Sequence, residues 1–197
     1  MTYKLSIYLT EKLIDKELID TSKIDIYRTG FELIISDIIT SFLIFTAGIV
    51  MNEFIYSCIY ALIMLIVRKF SGGYHAKTYW LCRTVTVGTF ILIVITSRVN
   101  AFNIFVCLAF NIIAVVTMII FAPIRHPNKQ LTENEYKANK VFSVITTLFF
   151  SVISIALFFV ERKEGLVISL TLLAITALMY VGLLTNREEG VKIGKAD

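Results

Sequence analysis

Histidine is nearly absent from this chain of 197 residues, occurring only as His75 and His126. Cysteine occurs three times, proline twice and tryptophan once. Charged residues make up 17% against 57% hydrophobic, whereas soluble domains run nearer a quarter charged and half apolar. Each shortage excludes something. Three cysteines are an odd number, and Cys58 and Cys107 lie inside apolar runs, so no disulfide framework is expected. There is no Cys-x-x-Cys or His-Glu-x-x-His pattern and no phosphate-binding glycine loop, so neither a metal nor another cofactor is expected. The net charge of +4 is small and scattered, and nucleic-acid binding needs a clustered basic face. Residues 1–32 mix Asp and Glu with Lys and Arg, which does not fit a cleavable signal peptide.

What is abundant is apolar sequence, with a mean hydropathy of +0.78. Six runs stand out, over roughly 33–51, 54–67, 85–97, 102–122, 141–160 and 166–184. Four of them have 19 to 21 residues, enough to cross about 30 Å of hydrocarbon. The second and third have 14 and 13 residues and on length alone could be re-entrant. Ahead of them, residues 3–32 interleave Ile7, Leu13, Leu18 and Ile24 with Lys12, Asp15, Glu17 and Lys23. Such a segment can lie in the headgroup plane or cap the bundle. The expected fold is all-α: a polytopic membrane bundle of about six transmembrane helices with an N-terminal amphipathic helix, forming one domain over 1–197.

Loop charge favours six crossings. If every run crosses, Lys and Arg in alternate connections total 16 on one side and 3 on the other. If the two short runs dip in and return, the split weakens to 12 against 7. The positive-inside rule then puts both termini, the 68–84 loop and the basic 123–140 loop in the cytoplasm. In the latter, Pro123 and Pro127 set a non-helical start. Thr132 with Glu135 fits a capping box that opens a helix into the fifth span. Its simplest role is that of a connector.

The polar stretch over residues 68–83 reads R-K-F-S-G-G-Y-H-A-K-T-Y-W-L-C-R. It holds His75 and Cys82, the one His–Cys combination in a short polar segment between spans. A thiolate activated by an imidazole is a recurring way to attack an acyl carbon. Lys77 and Arg83 add positive charge nearby, and Gly72 and Gly73 allow backbone angles that a Cβ forbids. The spacing makes a geometric demand. Positions seven apart on a straight helix stand about 10.5 Å apart along its axis, while a nucleophile and its base need roughly 3 Å. The backbone must therefore turn between His75 and Cys82, or the pair must form between two subunits. Asp37 is the carboxylate set well inside a run, where an ionisable group is functional by default. It and the similarly placed Glu32 are candidates for orienting the imidazole, although snorkelling to the interface explains Asp37 equally well.

The run from Arg68 through Gly72, Gly73, His75 and Ala76 to Cys82 resembles the signature of the accessory gene regulator B family, the membrane peptidases of bacterial quorum sensing. The resemblance extends over most of the chain, including the amphipathic start and the proline-containing basic loop at Pro123–Lys129. It implies a bacterial cell-membrane enzyme that cleaves the C-terminal tail from an autoinducer propeptide and leaves a cyclic thiolactone. Cys82 would be the nucleophile and His75 its base. Arg68, Lys69, Gly72, Gly73 and Lys77 would shape the site or hold substrate. The implied partners are the propeptide and the lipid bilayer, and the short spans and polar loop suit association into a homodimer. The competing readings are a small transporter, for which internal repeats would speak but none is found, and a scaffold without peptidase activity.

Overall fold

The computed structural model describes residues 2–14, 24–72, 79–99, 103–124, 132–160 and 162–193. Among them the chain is all helical: α1 (Thr2–Ile14), α2 (Ile24–Val50), α3 (Phe54–Ser71), α4 (Tyr79–Ser97), α5 (Ile104–Phe121), α6 (Glu133–Phe159) and α7 (Glu164–Ile193). Helices α2 to α7 are each long and apolar enough to cross a membrane. Wide apolar exposure on their outer faces, as at Ile38, Phe42, Leu65, Leu92 and Phe105, is what a helix solvated by lipid requires.

Three expected boundaries move. The N-terminal amphipathic segment is described as a helix over Thr2–Ile14, and residues from Ile24 onward already belong to the first span. The two short runs are helices of 18 and 19 residues, about 27 Å or more at 1.5 Å per residue, so each is long enough to cross. They lengthen by absorbing the polar stretch: α3 carries Arg68 and Lys69 in its last turn, and Cys82 lies in α4 rather than in a loop. Hydropathy stops at the first charged residue. Backbone hydrogen bonding, which lipid makes compulsory, continues past it.

The core forms around α7. Of an 18-residue stretch of its Glu164–Leu184 span 61% is buried, more than in the matching stretch of any other span, and it packs against α3, α4, α5 and α6. A helix that is apolar all round belongs in such a central position. Gly165 lets α6 approach, since a Cβ there would stand 2.5 Å from the Ser154 carbonyl oxygen and 2.9 Å from the Phe158 amide.

Small polar groups join the three last helices. Asn111 on α5 donates to Ser154 Oγ at 3.2 Å and to Ser169 Oγ at 3.1 Å, and Ser154 donates to the Gly165 carbonyl at 2.8 Å. Such bonds hold spans together where lipid removes the hydrophobic drive between them. Asn111→Ala is expected to lower stability by about 1–2 kcal/mol, combining two lost bonds with a small cavity. Thermal unfolding in detergent checks this.

The ends of the bundle differ. At one, the Met51–Glu53 turn is held by Arg98, which donates to the Met51 carbonyl at 2.6 Å and pairs with Glu53 at 3.8 Å. At the other lie the end of α3 and the starts of α4 and α6, with Arg68, Lys69, Arg83, Lys137 and Lys140. The capping box opening α6 is present: Thr132 Oγ1 accepts from the Glu135 amide at 3.3 Å, and Glu135 Oε2 accepts from the Thr132 amide at 2.9 Å.

Candidate active site

Cys82 sits in the first turns of α4, half-buried and unpaired. Its sulfur faces α3. Arg68 Nη2 donates to Sγ at 3.7 Å, and Nη1 donates to Thr86 Oγ1 at 3.4 Å. Thr86 lies four residues after Cys82, so both occupy one face of α4. Its hydroxyl donates to the Cys82 carbonyl at 2.8 Å while accepting from Arg68.

A buried tyrosine fixes this arrangement from below. The Tyr60 hydroxyl donates to the Thr86 carbonyl at 2.9 Å, and its ring lies 5.3 Å from that of Phe90, with Tyr60 and Phe90 both fully buried. The Cα traces of α3 and α4 approach at few points. Long side chains therefore bridge them: Tyr60 in the core, Arg68 two turns nearer the end. Neither Tyr60 nor Thr86 was expected from the polar stretch. The available signal was helical spacing, since 60, 64, 67, 68 and 71 share a face and 82 and 86 share another.

The end of α3 is pinned as well. Gly72 caps it at φ +68° and ψ −163°, a region that is essentially glycine's alone. A Cβ there would meet the Ile124 carbonyl oxygen at 2.8 Å and the Ile124 amide at 3.1 Å. That amide donates to the Ser71 carbonyl at 3.0 Å, and Ala122, Pro123 and Ile124 are all buried. The opening of the basic connection is thus docked on the cap of α3. Its residue before proline, Ala122, is extended, as the pyrrolidine ring requires.

The other expected residues are spread more widely. Lys69 is exposed, with its ammonium 6.0 Å from the centre of the Phe70 ring, which stacks on Phe142 of α6. Asp37 is exposed on α2, within electrostatic range of Arg68. Glu32 accepts from Ser6 Oγ at 3.3 Å and so joins α2 to α1. Gly73, His75 and Lys77 lie outside the described residues, and so does the turn that a His75–Cys82 pair demands. Cys107 is buried within α5, and Cys58 is on the outer face of α3.

A guanidinium against a cysteine sulfur, a glycine-only cap and a docked proline segment at one end of a six-span bundle can be compared with known proteins. The family profile described as accessory gene regulator B matches residues 4–182. The chain belongs to the accessory gene regulator B family. It is similar to accessory gene regulator protein B of Staphylococcus epidermidis, 24% identical over 154 residues that cover 75% of this chain and 78% of that one. It is likewise similar to accessory gene regulator protein B of Staphylococcus aureus strain JH9, 24% identical over 128 residues covering 65% and 68%. No solved structure matches. The family match takes in all of α2 to α6 and most of α7, so membership rests on the whole bundle and not on the polar stretch alone.

Proposed function

We propose that this protein is a multi-pass cysteine endopeptidase that cuts the C-terminal tail from an autoinducer propeptide and prepares it for closure into a thiolactone. The observation that carries the reading is the contact between Arg68 and the Cys82 sulfur. Thiolate is the reactive form of cysteine, and a fixed guanidinium beside the sulfur is a counter-charge to it whenever it is negative. The helix-start position and the half-exposure of Cys82 suit a nucleophile that a peptide must reach.

The chemistry runs in two transfers. His75 takes the thiol proton, and the Cys82 sulfur attacks the carbonyl carbon at the end of the signal segment. The C–N bond then breaks, the tail amine leaves with the proton held by His75, and an acyl-thioester stays on Cys82. The propeptide's own cysteine, as thiolate, attacks that carbonyl. One C–S bond forms as another breaks, the Cys82 sulfur departs and is reprotonated, and the ring closes. Since one thioester replaces another, the second transfer needs a positioned thiol and the exclusion of water more than a driving force. The basic groups at this end of the bundle, placed in the cytoplasm by the charge bias, would draw an acidic tail toward the site. A transporter or scaffold gains no support from any described contact.

The direct test is co-expression with a propeptide and mass spectrometry of the membrane protein. The expected result is a mass adduct on Cys82 equal to the acylated leader and signal segment. Thr86 adds a second expectation. Thr86→Val keeps the side-chain volume and removes the acceptor that holds Arg68 Nη1, so kcat should fall by about 10- to 100-fold with KM little changed. Alkylation of Cys82 by iodoacetamide should slow in parallel, and Thr86→Ser should restore both. Unchanged alkylation would mean that Arg68 does not depend on Thr86.

A further inference from the structure

Away from the Arg68 side, α4 and α2 leave a groove of about 300 Å³ between them. Leu43, Val87, Gly88 and Ile91 line most of it, while Trp80 and Arg83 line the end nearest the polar stretch. Nothing lies within 4 Å of where a Cβ on Gly88 would stand, so the missing side chain leaves the groove open. Along α4 the distance from Arg83 to Ile91 is about 12 Å, eight residues at 1.5 Å each.

Among the described residues Arg83 is short of acceptors. A guanidinium carries five N–H donors. Among the described residues only Ser36 Oγ accepts from it, at 3.5 Å, and Nε is buried without a partner. Asp37 follows Ser36 on α2 but forms no ion pair with Arg83 among the described residues. A cation with donors unused among the described residues, set in a membrane span beside a tryptophan, suits an anionic acceptor such as a phosphate.

We infer that this groove holds an anionic phospholipid, with its phosphate on Arg83 and one acyl chain lying along Leu43, Val87, Gly88 and Ile91. Phosphate oxygens match the planar fork of a guanidinium, and basic pockets between spans are recognised sites for lipid headgroups. The groove has one charged end and an apolar remainder, the same order of chemistry as a phospholipid at the interface. The inference does not depend on Cys82 being a nucleophile.

Native mass spectrometry of the full chain, titrated with phosphatidylglycerol or phosphatidylcholine, tests this. The wild type should retain one phosphatidylglycerol at least 10-fold more tightly than phosphatidylcholine. Arg83→Gln should bring the two lipids level, and Arg83→Lys should keep part of the preference. Gly88→Leu, which enters open space, should weaken retention of the bound phosphatidylglycerol at least 10-fold. Thermal midpoints in phosphatidylcholine nanodiscs identify any variant that fails to fold, and the wild-type comparison stands without variants. Equal retention of both lipids by the wild type would overturn the proposal, as would an unchanged preference in a folded Arg83→Gln protein. Displacement of the lipid by equimolar inorganic phosphate would show an anion site rather than a lipid site and would also overturn it. Loss of propeptide cleavage in Arg83→Gln with its lipid preference intact would assign Arg83 to the peptide instead.

Discussion

Cys82→Ser should reduce propeptide cleavage by at least about 10³-fold, because a serine hydroxyl lacks the thiol's acidity and nucleophilicity. The fold should hardly notice. The described contact of the sulfur is a single long bond from Arg68 at 3.7 Å, and exchanging sulfur for oxygen at a half-exposed position should shift stability by no more than about 0.5 kcal/mol. The two readouts separate the competing functions. A peptidase loses tail release while its variant inserts and melts like the wild type, whereas a transporter or scaffold is indifferent to the change. Tail release is followed by mass spectrometry in reconstituted vesicles, and Cys82→Ala is the control against a residual oxygen nucleophile. Wild-type cleavage by either variant would remove the basis of the proposed mechanism.

Gly72→Val should destabilise the protein by about 3 kcal/mol or more and abolish activity with it. Two effects combine. The backbone at φ +68° and ψ −163° costs a residue with a Cβ about 1–3 kcal/mol. That Cβ would also be forced onto backbone atoms of Ile124 at 2.8 and 3.1 Å. Ile124 cannot simply retreat, because its amide is bonded to the Ser71 carbonyl at 3.0 Å and its side chain is buried. If instead the cap of α3 yields, the last turn of α3 shifts with it, and the contact of Arg68, one turn before Gly72, to Cys82 opens. Gly30→Ala is the matched comparison: Gly30 lies in α2 with open space around a would-be Cβ, and the change should be neutral or stabilise by up to about 1 kcal/mol. Thermal unfolding of both variants beside the wild type decides the matter, and a Gly72→Val protein that melts with the wild type would contradict the close packing on Ile124.

Much of the architecture follows from the sequence for a simple reason. In lipid, a run of apolar residues has one way to satisfy its backbone, so counting such runs counts helices. That is why six spans, the amphipathic start and the Thr132–Glu135 capping box could be read directly. Boundaries were less legible. Apolar runs ended at Val67 and resumed at Val85, yet the helices continue to Ser71 and begin again at Tyr79, because a helix end is set by caps and interfacial hydration and not by hydropathy alone. The motif pointed to Arg68, Gly72 and Cys82, but without partners. Thr86 is one helical turn from Cys82, but Tyr60 and Ile124 contribute to the same region from 22 and 42 residues away, and no local pattern marks those two distances.

The sequence by itself determined that this chain is a helical membrane protein of six candidate spans, that a polar stretch over 68–83 separates the second and third apolar runs, and which family that stretch resembles. Only the tertiary structure decided that Arg68 reaches the Cys82 sulfur, that Thr86 and Tyr60 hold the contact, and that the Pro123–Ile124 segment closes over Gly72. The physical reason is the range of the forces involved. Hydropathy and capping act within one helix and are written in consecutive residues, whereas a hydrogen bond between helices depends on how two cylinders are rotated and raised relative to each other, and the packing around α7 sets that for the whole bundle.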